Sequence, residues 1–330
     1  MRPDPTVVIT GASAGLGRAV ARAFARRGAR IGLIARDADA LEDTRREVER
    51  LGGRAVALPA DVADFDAVDG AAAAAEAAFG PIDVWVNNAM ATAFSPVHAL
   101  EPQELHRVTQ VTYFGYVHGT MAALRRMRPR NRGTIVQVGS ALAYRGIPLQ
   151  SAYCGAKHAI VGFTDSLRCE LLHENAGIRL TVVHMPAMNT PQFQWARTRF
   201  RRRPAPAGPT LAPDRAARAV VWAAEHGGRE LWVGKSTFQT ILGQMVAPAL
   251  MDRILARRAW DGQFRREPLP AHYRDNLYET VPGVHAVDGP FRESLPGHYT
   301  RASTARLALA ATGAAVAAGL MLGAAALARR

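Results

Sequence analysis

The sequence predicts an α/β protein: one doubly wound parallel sheet of about seven strands, then a C-terminal extension and a terminal apolar helix. Three observations predict it. Short apolar runs alternate with longer helical segments between residues 6 and 233. A glycine cluster closes the first run and opens a helix. The chain of 330 residues is 48% hydrophobic and 21% charged, enough apolar residues for a sizeable core and too few charges for global disorder.

The apolar runs fall at Val7–Thr10, Ile31–Ala35, Ala55–Leu58, Val84–Val86, Thr134–Val138, Arg179–His184 and Leu231–Val233. Segments of helical character separate them, among them Gly15–Arg27, Ala38–Leu51, Val62–Phe79 and Ala152–Leu172. Strands this apolar are buried on both faces, as in a parallel sheet between two helix layers. The expected organisation is a main domain over residues 1–235, an extension over 236–300 and a terminal helix over 301–330. Pro191 to Pro213 breaks the rhythm with five prolines, and five arginines crowd between Arg197 and Arg203. That stretch reads as a mobile excursion carrying a short helix. In the extension, Ile241–Trp260 reads as helical and the proline- and histidine-containing tail as extended.

The last segment differs in kind. Leu307 to Ala328 is 22 residues without a charge. As a helix it would be roughly 33 Å long, the hydrocarbon thickness of a bilayer. Gly319 and Gly323 would let two such helices approach closely. The segment is read as a membrane anchor, against a helix packed on the body or lying on the membrane surface.

Charge and cysteine content narrow the remaining classes. The net charge of +13 favours anionic partners. Its carriers are scattered, and of 41 basic residues only Lys157 and Lys235 are lysine. No helix-turn-helix, finger or aromatic RNA-binding pattern accompanies them, so no nucleic-acid partner is expected. Cys154 and Cys169 make neither a disulfide framework nor a zinc site. The N-terminus, MRPDPTVVITGAS, lacks the apolar run of a signal peptide, so the body is expected in the cytoplasm.

The glycine cluster is Thr10-Gly11-Ala12-Ser13-Ala14-Gly15-Leu16-Gly17. Glycines here allow a tight turn and a close approach by a pyrophosphate, and the helix that follows offers free N–H groups. The spacing T-G-x-x-x-G-x-G resembles that of the short-chain dehydrogenase/reductase family. The resemblance runs from about residue 5 to 235 and implies a Rossmann-type fold that binds a nicotinamide dinucleotide. The second strand ends in Ala35 and Arg36, where NAD users place an acid for the ribose hydroxyl. A guanidinium there can pair with a 2′-phosphate, so NADP is expected over NAD, although Asp37 follows directly. Asp61 and Val62 match the family position beside the adenine.

Tyr153-Cys154-Gly155-Ala156-Lys157 carries the expected chemistry. Residues four apart share a helix face. A phenol titrates near pH 10, and an adjacent ammonium is expected to lower that value and make Tyr153 a usable proton donor and acceptor. Ser140 lies 13 residues upstream, at a strand end, where its hydroxyl can hold a substrate oxygen. The family's catalytic serine occupies this position. The resemblance further implies that Asn88 and Ala89 lie beside the cofactor, and that Pro186 and Thr190 flank the nicotinamide, with a substrate lid at about 188–213. Met90 stands where the family has glycine, and Thr112 where many members have an asparagine that helps link the lysine to water. Tyr144 is a rival acid without a lysine four residues on, and Cys154 is read as packing.

The leading functional expectation is an NADP(H)-dependent oxidoreductase that interconverts an alcohol and a carbonyl, on a lipophilic substrate if the last helix enters a bilayer. A homo-oligomer is expected from the resemblance. The alternatives are a cofactor-binding sensor or scaffold with little turnover, and an epimerase or dehydratase on the same scaffold. The lid arginines read either as a reader of an anionic substrate or lipid, or as a solvated loop.

Overall fold

The computed structural model describes residues 4–291 and the backbone of 299–301. Seven parallel strands form the sheet: β1 (Thr6–Thr10), β2 (Arg30–Ala35), β3 (Arg54–Pro59), β4 (Val84–Asn87), β5 (Gly133–Ser140), β6 (Ile178–Met185) and β7 (Glu230–Val233). Their spatial order is β7-β6-β5-β4-β1-β2-β3. Tyr299–Arg301 adds an antiparallel edge strand to β7, a pairing the sequence did not predict.

Period-2 alternation along the strands explains the three layers. Val7, Ile9, Val84 and Val86 face one side, where they pack with α1 (Gly15–Ala25), α2 (Ala38–Arg50) and the Pro213–His226 helix. Val8, Ile34, Trp85 and Ile135 face the other, packed with α3 (Phe65–Phe79) and the helices between β4 and β6. Alanines at positions 71, 72 and 75 of α3 are buried and present little bulk to the sheet.

Between β4 and β5 the chain forms α4 (Pro102–Thr109), a wide π-turn (Gln110–Phe114) and α5 (Gly115–Met127). A single 23-residue helix, α6 (Ser151–His173), joins β5 to β6. After β6 come the short α7 (Gln192–Trp195) and then α8 (Pro213–His226). Winding reverses at β1 and β4, which are neighbours in the sheet. A crevice therefore opens at their C-terminal ends, the usual ligand position in such sheets.

The arginine-rich excursion is pinned to the body. Arg197 and Arg199 both bond the buried carboxylate of Glu104, at 2.6 and 2.9 Å. Arg197–Thr198 pairs with Ala93–Phe94, and Arg202–Pro204 with Phe264–Pro268. The solvated-loop reading therefore fails for Arg197 and Arg199.

The expected Ile241–Trp260 helix is two helices, α9 (Lys235–Val246) and α10 (Pro248–Arg258). The break falls at Ala247, because the residue before a proline is pushed out of helical geometry. The membrane-spanning helix expected at Leu307–Ala328 requires a correction. No helix among the described residues is long and apolar enough to cross a membrane, and that segment lies outside them.

Candidate active site

A single cavity of about 670 Å³ runs from the glycine turn, past the ends of β4 and β5, to α9 and α10. Every residue singled out above for cofactor or chemistry lines it except Thr10 and Gly17, which stand behind the turn and shape it. The Thr10 hydroxyl accepts the N–H groups of Asn88 and Ala89 at 2.9 and 3.1 Å, and the Asn88 amide returns to the carbonyls of Thr10 and Gly11. These bonds lock the turn to the end of β4. Gly11 has φ +65°, and a Cβ on Gly17 would sit 2.0 Å from the Gly11 carbonyl oxygen. Any side chain at Gly17 would open the turn.

The first turn of α1 is left without a side-chain cap and carries no acid. Apart from the Gly15 N–H, which the Ala286 carbonyl takes, the N–H groups of that turn and the positive end of the helix dipole lie at the cavity beside Ser13 and Leu16, a fit for a pyrophosphate. Thr190 packs against Gly15, within 3.3 Å of where a Cβ would stand, so the loop after β6 borders the same turn.

At the far side of the turn, a C-terminal tail covers the cleft. The Arg36 guanidinium donates to the carbonyls of Asn276 and Tyr278. Arg107 donates to the Leu277 carbonyl and to Asp61. Burial raises the Asp61 carboxyl, but the Ala63 N–H and the Arg107 guanidinium outweigh it and hold it below the ordinary carboxylate value. Arg18 and the Gly15 N–H bond the carbonyls of His285 and Ala286. Leu277 is buried in the core, and His285 stands 4.0 Å from the Asp37 carboxylate that caps α2. Sequence reasoning missed this wall, because main-chain carbonyls supply most of it and any residue type carries one.

Ser140 ends β5, with its hydroxyl accepting the Leu142 N–H at 3.1 Å. Tyr153 and Lys157 sit one turn apart near the start of α6. Burial pushes the Tyr153 phenol above its ordinary value, and the Ser140 hydroxyl beside it works the other way. Lys157 is 2% exposed, and burial lowers its ammonium to about 7. The lysine was expected to depress the phenol. Its Nζ instead donates to the Tyr116 hydroxyl at 2.9 Å and to the Val138 carbonyl at 2.8 Å, and lies 5.7 Å from the Tyr153 ring centre. In this arrangement burial outweighs any help from the lysine.

The two departures from the family pattern have plain structural outcomes. Met90 lines the cavity. Thr112 is buried in the π-turn and closes on Ala91, accepting its N–H at 3.0 Å and donating to its carbonyl at 2.9 Å. Tyr144 is spent elsewhere, donating to Glu230 at 2.6 Å. Cys154 is buried with its thiol pushed up to about 11 by burial, which suits packing and not reactivity. Tyr116 was not anticipated, although it follows Thr112 by four residues in a helical stretch, and that spacing could have flagged it.

The chain is similar to known proteins. Residues 5–199 match the short chain dehydrogenase family. The chain is 32% identical over 284 residues to the uncharacterized oxidoreductase YxnA of Bacillus subtilis, covering 86% of this chain and 80% of that one. It is 32% identical to a fatty acyl-CoA reductase of Acinetobacter baylyi, over 66% of this chain and 71% of the relative. A solved alcohol dehydrogenase from the archaeon Thermococcus sibiricus, complexed with 5-hydroxy-NADP, superposes with a TM-score of 0.60 at 28% identity, covering 68% of this chain and 94% of that one. The cradle, the serine–tyrosine–lysine grouping and these matches agree: the chain is an oxidoreductase of the short-chain dehydrogenase family.

Proposed function

We propose that this protein is an NADP(H)-dependent oxidoreductase that interconverts an alcohol and a carbonyl on a substrate with an apolar body. One observation carries the reading: a single cavity holds the uncapped helix turn, Arg36, the Ser140–Tyr153–Lys157 group and an apolar end. That end is lined by Leu142, Ile147, Met188, Phe193, Met251 and Leu255.

The nicotinamide, when bound, supplies or takes up the hydride. The chain's own groups do the rest. Ser140 hydrogen-bonds the substrate oxygen and holds it toward Tyr153. Tyr153 donates its proton to that oxygen in reduction and recovers it in oxidation. A phenol kept protonated by burial is a competent donor in the reductive direction. In oxidation it needs the positive charge of Lys157 to yield its proton. Lys157 has one N–H left after Tyr116 and Val138 and can offer it to the nicotinamide ribose.

Preference for the 2′-phosphate is read from Arg36, whose guanidinium is steadied by two tail carbonyls. Asp37, the residue that argued for NAD, is engaged as the cap of α2 and faces His285. The relative acting on fatty acyl-CoA and the apolar end of the cavity both favour a long aliphatic carbonyl or alcohol. Exposed Met121 and Leu172 on α5 and α6 favour a homo-oligomer through those helices. The test is NADPH consumption across aldehydes and ketones of increasing chain length, beside Tyr153→Phe. Turnover that rises with chain length and vanishes in the variant is expected. Dinucleotide binding without turnover on any of them would favour a sensor or scaffold.

A further inference from the structure

Among the described residues Lys157 has no carboxylate partner, and burying a charge is costly unless something compensates. The Val138 carbonyl offsets part of that cost, and one side chain, from α5, offsets more. The Tyr116 hydroxyl accepts from Lys157 Nζ at 2.9 Å and donates its own proton to the Val138 carbonyl at 2.8 Å. With that proton committed, its lone pairs are turned to the ammonium. The ring contributes as well, its centre 4.4 Å from Nζ and closer than that of Tyr153. A desolvated cation over an aromatic face is attracted by the ring quadrupole.

Thr112 stands where the sequence resemblance places an asparagine linked to the lysine, and both functions of its hydroxyl are taken up by Ala91. The π-turn at Gln110–Phe114 widens the helix there, and Tyr116 enters the site from the first turn of α5. Such turns recur at functional sites. Burial holds the Tyr116 phenol well above its ordinary value, so it remains a neutral acceptor while the lysine titrates.

We infer that Tyr116 is a positioning residue for the catalytic lysine: its hydroxyl and ring favour the protonated form of Lys157 and hold its side chain so that one N–H is left for the cavity. The inference rests on the reading of Tyr153 and Lys157 given above. The groups facing the pair are few. Tyr116 comes from α5, Ser140 from β5, and Cys154 from α6 beside Tyr153. Behind Ser140, His184 of β6 bonds the Ser140 carbonyl at 3.1 Å, and Glu230 of β7 stands 3.6 Å from His184.

Removing the hydroxyl lowers the pH at which the ammonium is lost, and Tyr153 then keeps its proton to higher pH. Alcohol oxidation by the purified full-length protein is measured against pH for wild type, Tyr116→Phe and Tyr153→Phe, with thermal unfolding as a check on folding. In Tyr116→Phe the ascending limb is expected to move up by about one pH unit, with kcat near neutrality down about tenfold and the KM for alcohol unchanged. Tyr116→Met fills the space with neither hydroxyl nor ring and is expected to move the limb further; it carries the test if Tyr116→Phe folds poorly. A role in packing alone would scale the rate equally at all pH values, and a limb at the wild-type position overturns the inference. Turnover surviving in Tyr153→Phe overturns the reading of the centre and the inference with it. A dead Tyr153→Phe beside an unmoved Tyr116→Phe limb overturns the inference alone.

Discussion

The strand side of the cavity and its C-terminal side hold their groups by different bonds. Between residues 5 and 199, side chains grip side chains and strand ends: Lys157 on Tyr116, Asn88 on Thr10, and Asn87 on Gln137 and Thr120. Between residues 275 and 289, the main chain does the holding: carbonyls of Asn276, Leu277, Tyr278, His285 and Ala286 take donors from the body. The first kind of wall is specific to residue type and carries chemistry. The second is indifferent to residue type and serves enclosure. Substitutions on the two sides should therefore fail in different ways, chemistry on one and binding on the other.

The largest effect is expected at Tyr153. Tyr153→Phe should lower kcat at least about 100-fold with dinucleotide affinity retained, read by NADPH fluorescence titration beside steady-state rates. A parallel loss of affinity would mean that the strand wall does not separate chemistry from binding.

Next comes the cost of keeping Lys157 buried. Its folded value of about 7 lies below that of an unfolded lysine, so between those two values the unfolded chain binds more protons. Stability of the cofactor-free protein should therefore rise as pH climbs from about 7 toward about 10, and the deficit is fully present below about 7. Lys157→Met removes it. The variant is expected to be more stable at neutral pH, by on the order of 4 kcal/mol, with a flatter profile over that window, measured by urea unfolding at several pH values. Equal stability of the two proteins at pH 7 would show that Tyr116 and Val138 already offset the burial of the charge.

The two sides also differed in how far the sequence revealed them. The seven parallel strands were legible because each is an apolar run short enough to be buried on both faces, and the observed ends lie within about two residues of the runs. Tyr153, Lys157 and Ser140 were legible because the chemistry demands particular residue types at fixed spacing. Tyr116 was harder: its four-residue spacing from Thr112 hints at a shared helix face, but its partner Lys157 lies 41 positions away and is reached only through the fold. The pairing of Glu104 with Arg197 and Arg199 was hidden for the same reason, and those arginines read as a solvated loop until their partner was placed. The tail left the least trace, since a carbonyl has no residue type.

Arg36 links the two sides, rooted at the end of β2 and held by the tail. Arg36→Ala should raise the KM for NADPH about 10- to 100-fold, as loss of charge-assisted bonds to a phosphate implies, while the KM for NADH moves little. An equal rise for both cofactors would assign Arg36 to seating the tail and not to reading the phosphate.

A variant within the tail isolates the enclosing wall. A Cβ on Gly289 would stand 2.5 Å from the Thr190 carbonyl oxygen and 2.9 Å from the Asn189 amide oxygen. Gly289→Val must therefore push the tail away from the loop after β6, next to the bond that Gly289 N–H makes to the Asn189 carbonyl. Leu277 can stay in the core, so the displacement is local and the fold should survive. The expected result is a rise of about tenfold in the dissociation constant for NADPH, seen mainly as faster release in a stopped-flow chase, with kcat at saturating cofactor unchanged. Unaltered release would reduce the tail to cladding over a site that the strands complete by themselves. A fall in kcat at saturation would instead extend its influence to Thr190 and the nicotinamide end, erasing the division between a wall for chemistry and a wall for enclosure.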